Sequence, residues 1–325
     1  MSGAASFLAL AGRRIAASLL LLVGASFLIY FTIRSAPGDA VDAITPMGTP
    51  PEIKEKLAAE FGLDQGVLGG YGVWLSRSAT GDFGESLVFA PGQTVMEVAG
   101  PAFEKTLLLS GGALFATVVL SILLALLLGE PSARQQGLTG ALYFITSAPG
   151  FVSAVVFSAA VNAGVQRFVE QAGHETPAWY PIPIYSDSIV PYFFAGFVLV
   201  MGDGLLMDTF NAVRAEILGV RGAQFISAVR ARGASVTPHL WLNLAIPIFS
   251  AFVSRLPVVL GGVVIVEYVF TLDGAGYLLL EASKQRDFPV VVGLSVLFTL
   301  AVIVVGLLSD VARSVIDQRE VARDG

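Results

Sequence analysis

The stretch LLLSGGALFATVVLSILLALLL, residues 107–128, carries no charged side chain. At about 1.5 Å of rise per residue, a helix of that length crosses the roughly 30 Å hydrocarbon core of a bilayer. Working outward, comparable apolar blocks occur at Ile15–Ile33, Leu138–Val165, Ile189–Met207, Leu242–Val266 and Pro289–Leu308. The blocks are continuous rather than amphipathic stripes, so they predict an all-α membrane protein with about six transmembrane helices. Pro149-Gly150 interrupts one block, and Pro247 and Pro257 lie inside another. Prolines are tolerated in spans where neighbouring helices or water satisfy the freed carbonyls, which predicts a bundle lining something polar. The first block follows Arg13-Arg14 and is longer than a usual signal core, so it reads as an uncleaved helix.

Composition agrees. Apolar residues make up 55 % of the 325, charged residues 14 %, and the mean hydropathy is +0.76. A soluble domain of that composition would expose more apolar surface than water tolerates. The absence of cysteine excludes disulfides and thiolate metal sites. His174 and His239 are far apart in the chain, which argues against a histidine zinc site. A net charge of -6 argues against nucleic-acid binding.

Basic residues indicate sidedness. Arg13, Arg14, Arg134, Arg214, Arg221, Arg230, Arg232, Arg313, Arg319 and Arg323 fall in segments that share one side if the N-terminus is inside. The opposite segments (34–106, 166–188, 267–288) are longer and hold fewer, while most acids lie there. The positive-inside rule therefore predicts cytoplasmic N and C termini. The expected organisation is helix 1 within 1–33, a small extracytoplasmic domain at 34–106, a transmembrane core at 107–308 and a cytoplasmic tail at 309–325. In the outer domain, Thr49-Pro50-Pro51-Glu52 starts a short helix with Ile53, Leu57 and Phe61 on one face, stopped by Gly62.

The longest inner loop, 211–240, is also the most basic. Phe225, Ile226 and Val229 predict one apolar face of a short helix, with Arg230 and Arg232 nearby and Gly233 as its stop. Read alone, it also fits an ordinary positive-inside loop. An energy source is not visible in this chain. A P-loop needs glycine just before Lys-Ser/Thr, and at Lys105-Thr106 that position is Glu104. Gly274-Ala275-Gly276 follows Asp273 and reads as a turn. There is no H-E-x-x-H or G-x-S-x-G motif. The chain is not expected to be an enzyme, and if it moves a solute against a gradient, a partner would have to supply the work.

Charges inside the blocks matter because an unpaired arginine at mid-bilayer costs about 2.5–3.5 kcal/mol. By depth, Asp203 is the expected partner of Arg255, with Asp208 more than a turn deeper. Arg255 either forms an ion pair that fixes helix register or faces the translocation path and meets a substrate carboxylate. Glu267, at the outer end of the fifth block, faces that path or solvent. Trp179-Tyr180 reads as an interfacial aromatic belt.

Several segments in order resemble one family. Arg34-Ser35-Ala36-Pro37-Gly38-Asp39 is similar to its R-x-A-P-G-D after helix 1. Glu60-Phe61-Gly62-Leu63-Asp64, Tyr71, Trp74-Leu75 and Gly81-Asp82-Phe83-Gly84-Glu85-Ser86 follow, then Glu267-Tyr268-Val269-Phe270, Gly274-Ala275-Gly276, Glu281-Ala282 and Arg286-Asp287-Phe288-Pro289-Val290-Val291. Together they resemble the inner-membrane permease subunits of binding-protein-dependent ABC importers of the dipeptide/oligopeptide/nickel group. Ser227-Ala228-Val229-x-x-x-Gly233 stands where that family has E-A-A-x-x-x-G, the helix that docks on an ATPase subunit, and Asn243, Pro247 and His239 match its continuation. Two departures stand out. Gly233–His239 is about one helical turn shorter than the pattern, and Phe151–Pro191 carries little of it.

The resemblance implies a coupling element made of Ser227, Ala228, Val229, Arg230, Arg232 and Gly233. It also implies a second homologous permease, two ABC ATPase subunits that bind ATP and Mg, an extracytoplasmic substrate-binding protein, and a bacterial inner-membrane location. No cofactor is implied in this chain. Peptides lead as cargo, with nickel complexes and other small solutes behind. Two other readings are an ion-coupled secondary transporter using Asp203, Asp208 and Arg255 as a relay, and an intramembrane enzyme, which lacks a visible nucleophile–base pair.

Overall fold

A computed structural model describes residues 2–35, 41, 45, 47–60, 65–87, 89–128, 133–173, 175, 189–285 and 287–321. The motif residues Ala36–Asp39, the stop at Gly62, Trp179-Tyr180 and Arg286 lie outside the described residues. The helices in chain order are α1 (Ser2–Arg34), α2 (Pro51–Glu60), α3 (Val67–Ser78), α4 (Val95–Leu128), α5 (Ala133–Thr146), α6 (Gly150–Ala172), α7 (Val190–Met201), α8 (Leu205–Gly222), α9 (Gln224–Ala231), α10 (Val236–Phe270), α11 (Ala275–Gln285) and α12 (Phe288–Val321). Among the described residues the only β pairing is an isolated bridge between Glu85 and Thr94.

Five of these helices, α1, α4, α6, α10 and α12, are long and apolar enough to span a bilayer. A sixth span results if α7 and α8 are counted as one helix bent by 55° at Gly202-Asp203-Gly204. The block expected at 138–165 is divided: α5 stops at Thr146 and α6 restarts at Gly150, because Pro149 cannot continue the ladder. Many span side chains point outward, including Leu20, Leu21, Phe115, Leu127 and Phe151. That is the expected pattern when hydrocarbon rather than water is the solvent.

The chain forms two compact units. One comprises Met1–Leu107 with Asp273–Val304. In it, Tyr71 and Trp74 of α3 pack with Tyr30 and Phe27 of α1, and Tyr71 Oη donates to the Val23 carbonyl at 2.8 Å. Leu57 of α2 is buried in the same cluster and Ile53 is exposed, while Phe61, the third residue expected on that face, lies outside the described residues. A reciprocal capping box starts α4: the Thr94 N–H donates to Glu97 Oε2 at 2.8 Å and the Glu97 N–H to Thr94 Oγ1 at 3.3 Å.

Sequence segments read separately meet in this unit. The buried Asp287 carboxylate accepts the Ser86 hydroxyl at 2.7 Å and the Leu87 N–H at 3.1 Å. Asp287 therefore anchors the glycine-bearing loop after α3 to the start of α12. Thr106, seen in the sequence only as part of a failed P-loop, accepts the Ala275 N–H at 2.7 Å and so caps α11. Of Gly274-Ala275-Gly276, the expected turn, only Gly274 lies in a bend, and Ala275 and Gly276 open α11.

The other unit comprises Leu108–Leu272 with Val305–Gly325. Its main core is built from Ala154 of α6, Ala195, Val198 and Leu199 of α7, and Val263, Val266 and Phe270 of α10. A second cluster joins Met207, Phe210, Val213 and Ile217 of α8 to Leu240 and Leu244 of α10. Both clusters fix α8 against α10, the two helices that flank α9.

Candidate functional site

The basic segment 211–240 contains a short amphipathic helix, α9, between α8 and α10. Ile226 of α9 is fully buried and Val229 half-buried, whereas Phe225, Ser227, Ala228, Arg230 and Arg232 are exposed. The expected apolar face of Phe225, Ile226 and Val229 is therefore split. Ile226 roots the helix in its own chain, and Phe225, 41 % exposed, points away with the arginines. The physical reason is angular: successive residues on a helix differ by about 100°, so adjacent Phe225 and Ile226 cannot share one narrow face.

The end of α9 is sharply defined. Gly233 adopts φ +71°, its N–H donates to the Arg230 carbonyl at 2.9 Å, and the Ala234 N–H reaches back to the Val229 carbonyl at 3.2 Å. This pair of bonds is a Schellman motif, which uses the left-handed conformation that glycine adopts without cost. After Ser235 the chain enters α10 at Val236, so the shortened segment after Gly233 is a tight link between two helices.

Above this helix, α8 and α10 enclose a groove of about 250 Å³ lined by Val213, Glu216, Pro247, Ser250, Ser254 and Arg255 among others. Arg255 Nη1 lies 3.6 Å from Asp208 Oδ2, and these side chains are 29 % and 39 % exposed. The ion pair exists, but its acid is Asp208, not the expected Asp203. The break at 202–204 is the reason. It takes Asp203 out of the helical stripe and places it in a left-handed turn at φ +53°. The helix resumes at Leu205, and Asp208, one turn further on, comes level with Arg255.

Asp203 is used differently. Its Oδ1 accepts the Gly150 N–H at 2.8 Å, at the start of α6. A carboxylate there satisfies an N–H left free by the helix start and complements the positive end of the helix. Glu267, near the end of α10, is only 1 % exposed, so within this chain it faces neither solvent nor an open groove. Its carbonyl accepts the Leu272 N–H at 2.9 Å as part of the helix end. The sequence-derived residues thus resolve into four places: α9 with Gly233, Arg255 lining the groove with Asp208 beside it, Asp203 at a helix junction, and Glu267 buried near the end of α10. Asn243 and His239 sit together at the foot of α10, where Asn243 Nδ2 donates to the His239 carbonyl at 2.6 Å.

Comparison with known proteins gives this architecture a family. Residues 117–321 match the family described as binding-protein-dependent transport system inner membrane component. The chain is 25 % identical over 317 residues to the oligopeptide transport system permease protein AppB of Bacillus subtilis, covering 94 % of this chain and 97 % of the relative. It is 27 % identical over 323 residues to a putative peptide permease protein of Brucella ovis, covering 94 % and 97 %. It is also 26 % identical over 320 residues to the metal-staphylopine import system permease protein CntB of Staphylococcus aureus, covering 94 % and 96 %. With spans, a broken helix and a short exposed helix between α8 and α10, and with a match over most of its length, the chain belongs to the inner-membrane permease components of binding-protein-dependent ABC importers.

Proposed function

We propose that this permease imports peptides as one half of a two-chain pore, with work delivered through α9. The partners would be a second homologous permease, two ABC ATPase subunits that bind ATP and Mg, and an extracytoplasmic substrate-binding protein. Both termini and α9 face the cytoplasm in this reading, and the segment 34–106 faces outward. The observation that carries it is the form of α9: rooted by Ile226, stopped at Gly233, and presenting Phe225, Ser227, Ala228, Arg230 and Arg232 outward. A short helix fixed at its root and exposed on its far face is suited to take a push from a partner and pass it to α8 and α10.

The groove between α8 and α10 is assigned to the translocation path. A pair of charges that is about one-third exposed cannot face hydrocarbon without a cost of several kcal/mol, so that face meets water or protein. Peptide cargo rests on the names of AppB and the Brucella relative. The near-equal similarity to CntB supports a second cargo reading, a metal chelate.

The test is affinity purification of the chain in mild detergent, mass spectrometry of what accompanies it, and uptake assays with labelled peptides and metal chelates. Recovery of a second permease and P-loop ATPases, with ATP-dependent peptide uptake, is the expected result. Repeated recovery of the chain alone would defeat the assembly, and uptake of chelates without peptides would move the cargo to the second reading.

A further inference from the structure

Two helix interruptions lie against each other in the unit that carries α9. One separates α5 from α6 at Ser147-Ala148-Pro149, and the other separates α7 from α8 at Gly202-Asp203-Gly204. By composition Gly-Asp-Gly reads as a hinge, but the hydrogen bonds say otherwise. The Asp203 N–H donates to the Ala148 carbonyl at 3.0 Å and the Gly204 N–H to the Thr146 carbonyl at 2.6 Å. In return the Gly150 N–H donates to Asp203 Oδ1 at 2.8 Å. Each break thereby satisfies backbone groups that the other leaves open; Gly150, Gly202 and Gly204 are buried there, while the Asp203 residue is itself exposed.

The packing is as close as the bonding. A β-carbon on Gly150 would collide with Asp203 Oδ2, and one on Gly202 would lie 3.0 Å from the Gly150 Cα. Gly262 of α10 closes the third side, where an added β-carbon would meet the same carboxylate oxygen at 3.6 Å. Asp203 itself holds φ +53°, a conformation that aspartate and asparagine tolerate better than most residues. Below the junction, α8 runs without a break for 18 residues to Gly222 and leads directly into α9. A displacement of α9 is therefore carried along a rod about 27 Å long to this junction.

We propose that Asp203 is a positioning residue that turns the Gly202–Gly204 break into a rigid pin, so that movement of α9 reaches α6 as well as α8. The inference rests on α9 being the site where the ATPase acts. The carboxylate works as a hydrogen-bond acceptor and a space-filler among glycines; its charge is not needed, and an ion relay through Asp203 is not required.

The experiment uses the assembled transporter in proteoliposomes. Asp203→Asn keeps an acceptor oxygen and tolerates the same backbone, so its uptake stays within about twofold of wild type, whereas Asp203→Ala loses about tenfold or more while ATP hydrolysis continues. Nitroxide labels at the exposed positions Phe151 of α6 and Ala215 of α8 report on the pin directly, whether or not Asp203→Ala assembles. Their separation should stay constant on nucleotide binding in wild type and Asp203→Asn. A wild-type separation that shifts with nucleotide would show a hinge and overturn the pin alone, as would wild-type uptake by Asp203→Ala. An Asp203→Asn variant that assembles and hydrolyses ATP but does not transport would show that the charge matters, and also overturns it. A chain that recruits no ATPase removes the importer reading and this inference together, a different result from any of these.

Discussion

Arg255 and Asp208 meet at 3.6 Å with substantial exposure, a geometry that leaves the guanidinium fork free to take a second partner from the groove. Because the pair is partly exposed, breaking it should cost about 1 kcal/mol or less of stability. Arg255→Gln is therefore expected to melt within a few degrees of wild type in detergent. Its effect should appear in competition uptake, where peptides with a free C-terminal carboxylate lose their advantage over amidated ones. An unchanged ratio would leave Arg255 as a register-setting ion pair only. A second residue-scale effect lies in the other unit. Asp82 is held below its ordinary carboxylate value, first by hydrogen bonds from Arg77, then by the Gly84 N–H and the Arg77 charge, against the opposing effect of burial. A depressed folded pKa contributes stability that is present above the unfolded value of 3.8 and is lost as pH falls through the lower folded value. With both side chains well exposed the contribution is below about 1 kcal/mol. The melting difference between wild type and Asp82→Asn should accordingly be small at neutral pH and close to zero in strong acid. A difference that grows with acidification would contradict this sign.

At the scale of the element, α9 depends on its stop. A β-carbon at Gly233 meets nothing within 4 Å, so the objection to a side chain there is conformational, not steric crowding. Forcing a leucine to φ +71° costs about 1–2 kcal/mol and favours running the helix on past its end. Gly233→Leu should therefore insert and assemble but hydrolyse ATP without matching uptake, while Gly233→Asn, which tolerates the left-handed region, should stay coupled. Normal transport by the leucine variant would remove the docking role. This helix was legible from the sequence because its signals are local: an apolar pair three residues apart, adjacent arginines and a terminal glycine. Most spans were legible for the same reason, as continuous apolar blocks, with Pro149 marking the break at 147–149, but the break at 202–204 left no such trace. The partner of Arg255 was not legible, since counting depth at a constant rise assumes an unbroken helix, and the left-handed turn at 202–204 ends that assumption. The Asp287–Ser86 and Asp203–Gly150 contacts were equally out of reach, because they join segments distant in sequence through a few hydrogen bonds with no periodic trace. The inward turn of Ile226 was hidden too, since apolar residues alone do not say whether a helix face belongs to its own chain or to a partner.

For the whole molecule, the decisive physical question is where the free energy for transport enters. The unit that holds the groove also holds α9, so a push on α9 and a change at the Arg255 groove can be linked through α8 and α10. Nothing in that link requires a proton or sodium ion to cross with the cargo, and Asp203, the acid a relay would need between Asp208 and the opposite side, already accepts the Gly150 N–H. Reconstitution of the chain with its copurified partners should give uptake that requires ATP inside or outside the vesicle according to the face on which the ATPases sit. It should persist when ionophores collapse proton and sodium gradients, and vanish with a non-hydrolysable nucleotide. The chain reconstituted alone should show no cargo accumulation under an imposed gradient. Gradient-driven accumulation by the isolated chain would instead place the energy source within these helices, and the groove charges would then have to be read as a relay despite the hydrogen bond that occupies Asp203.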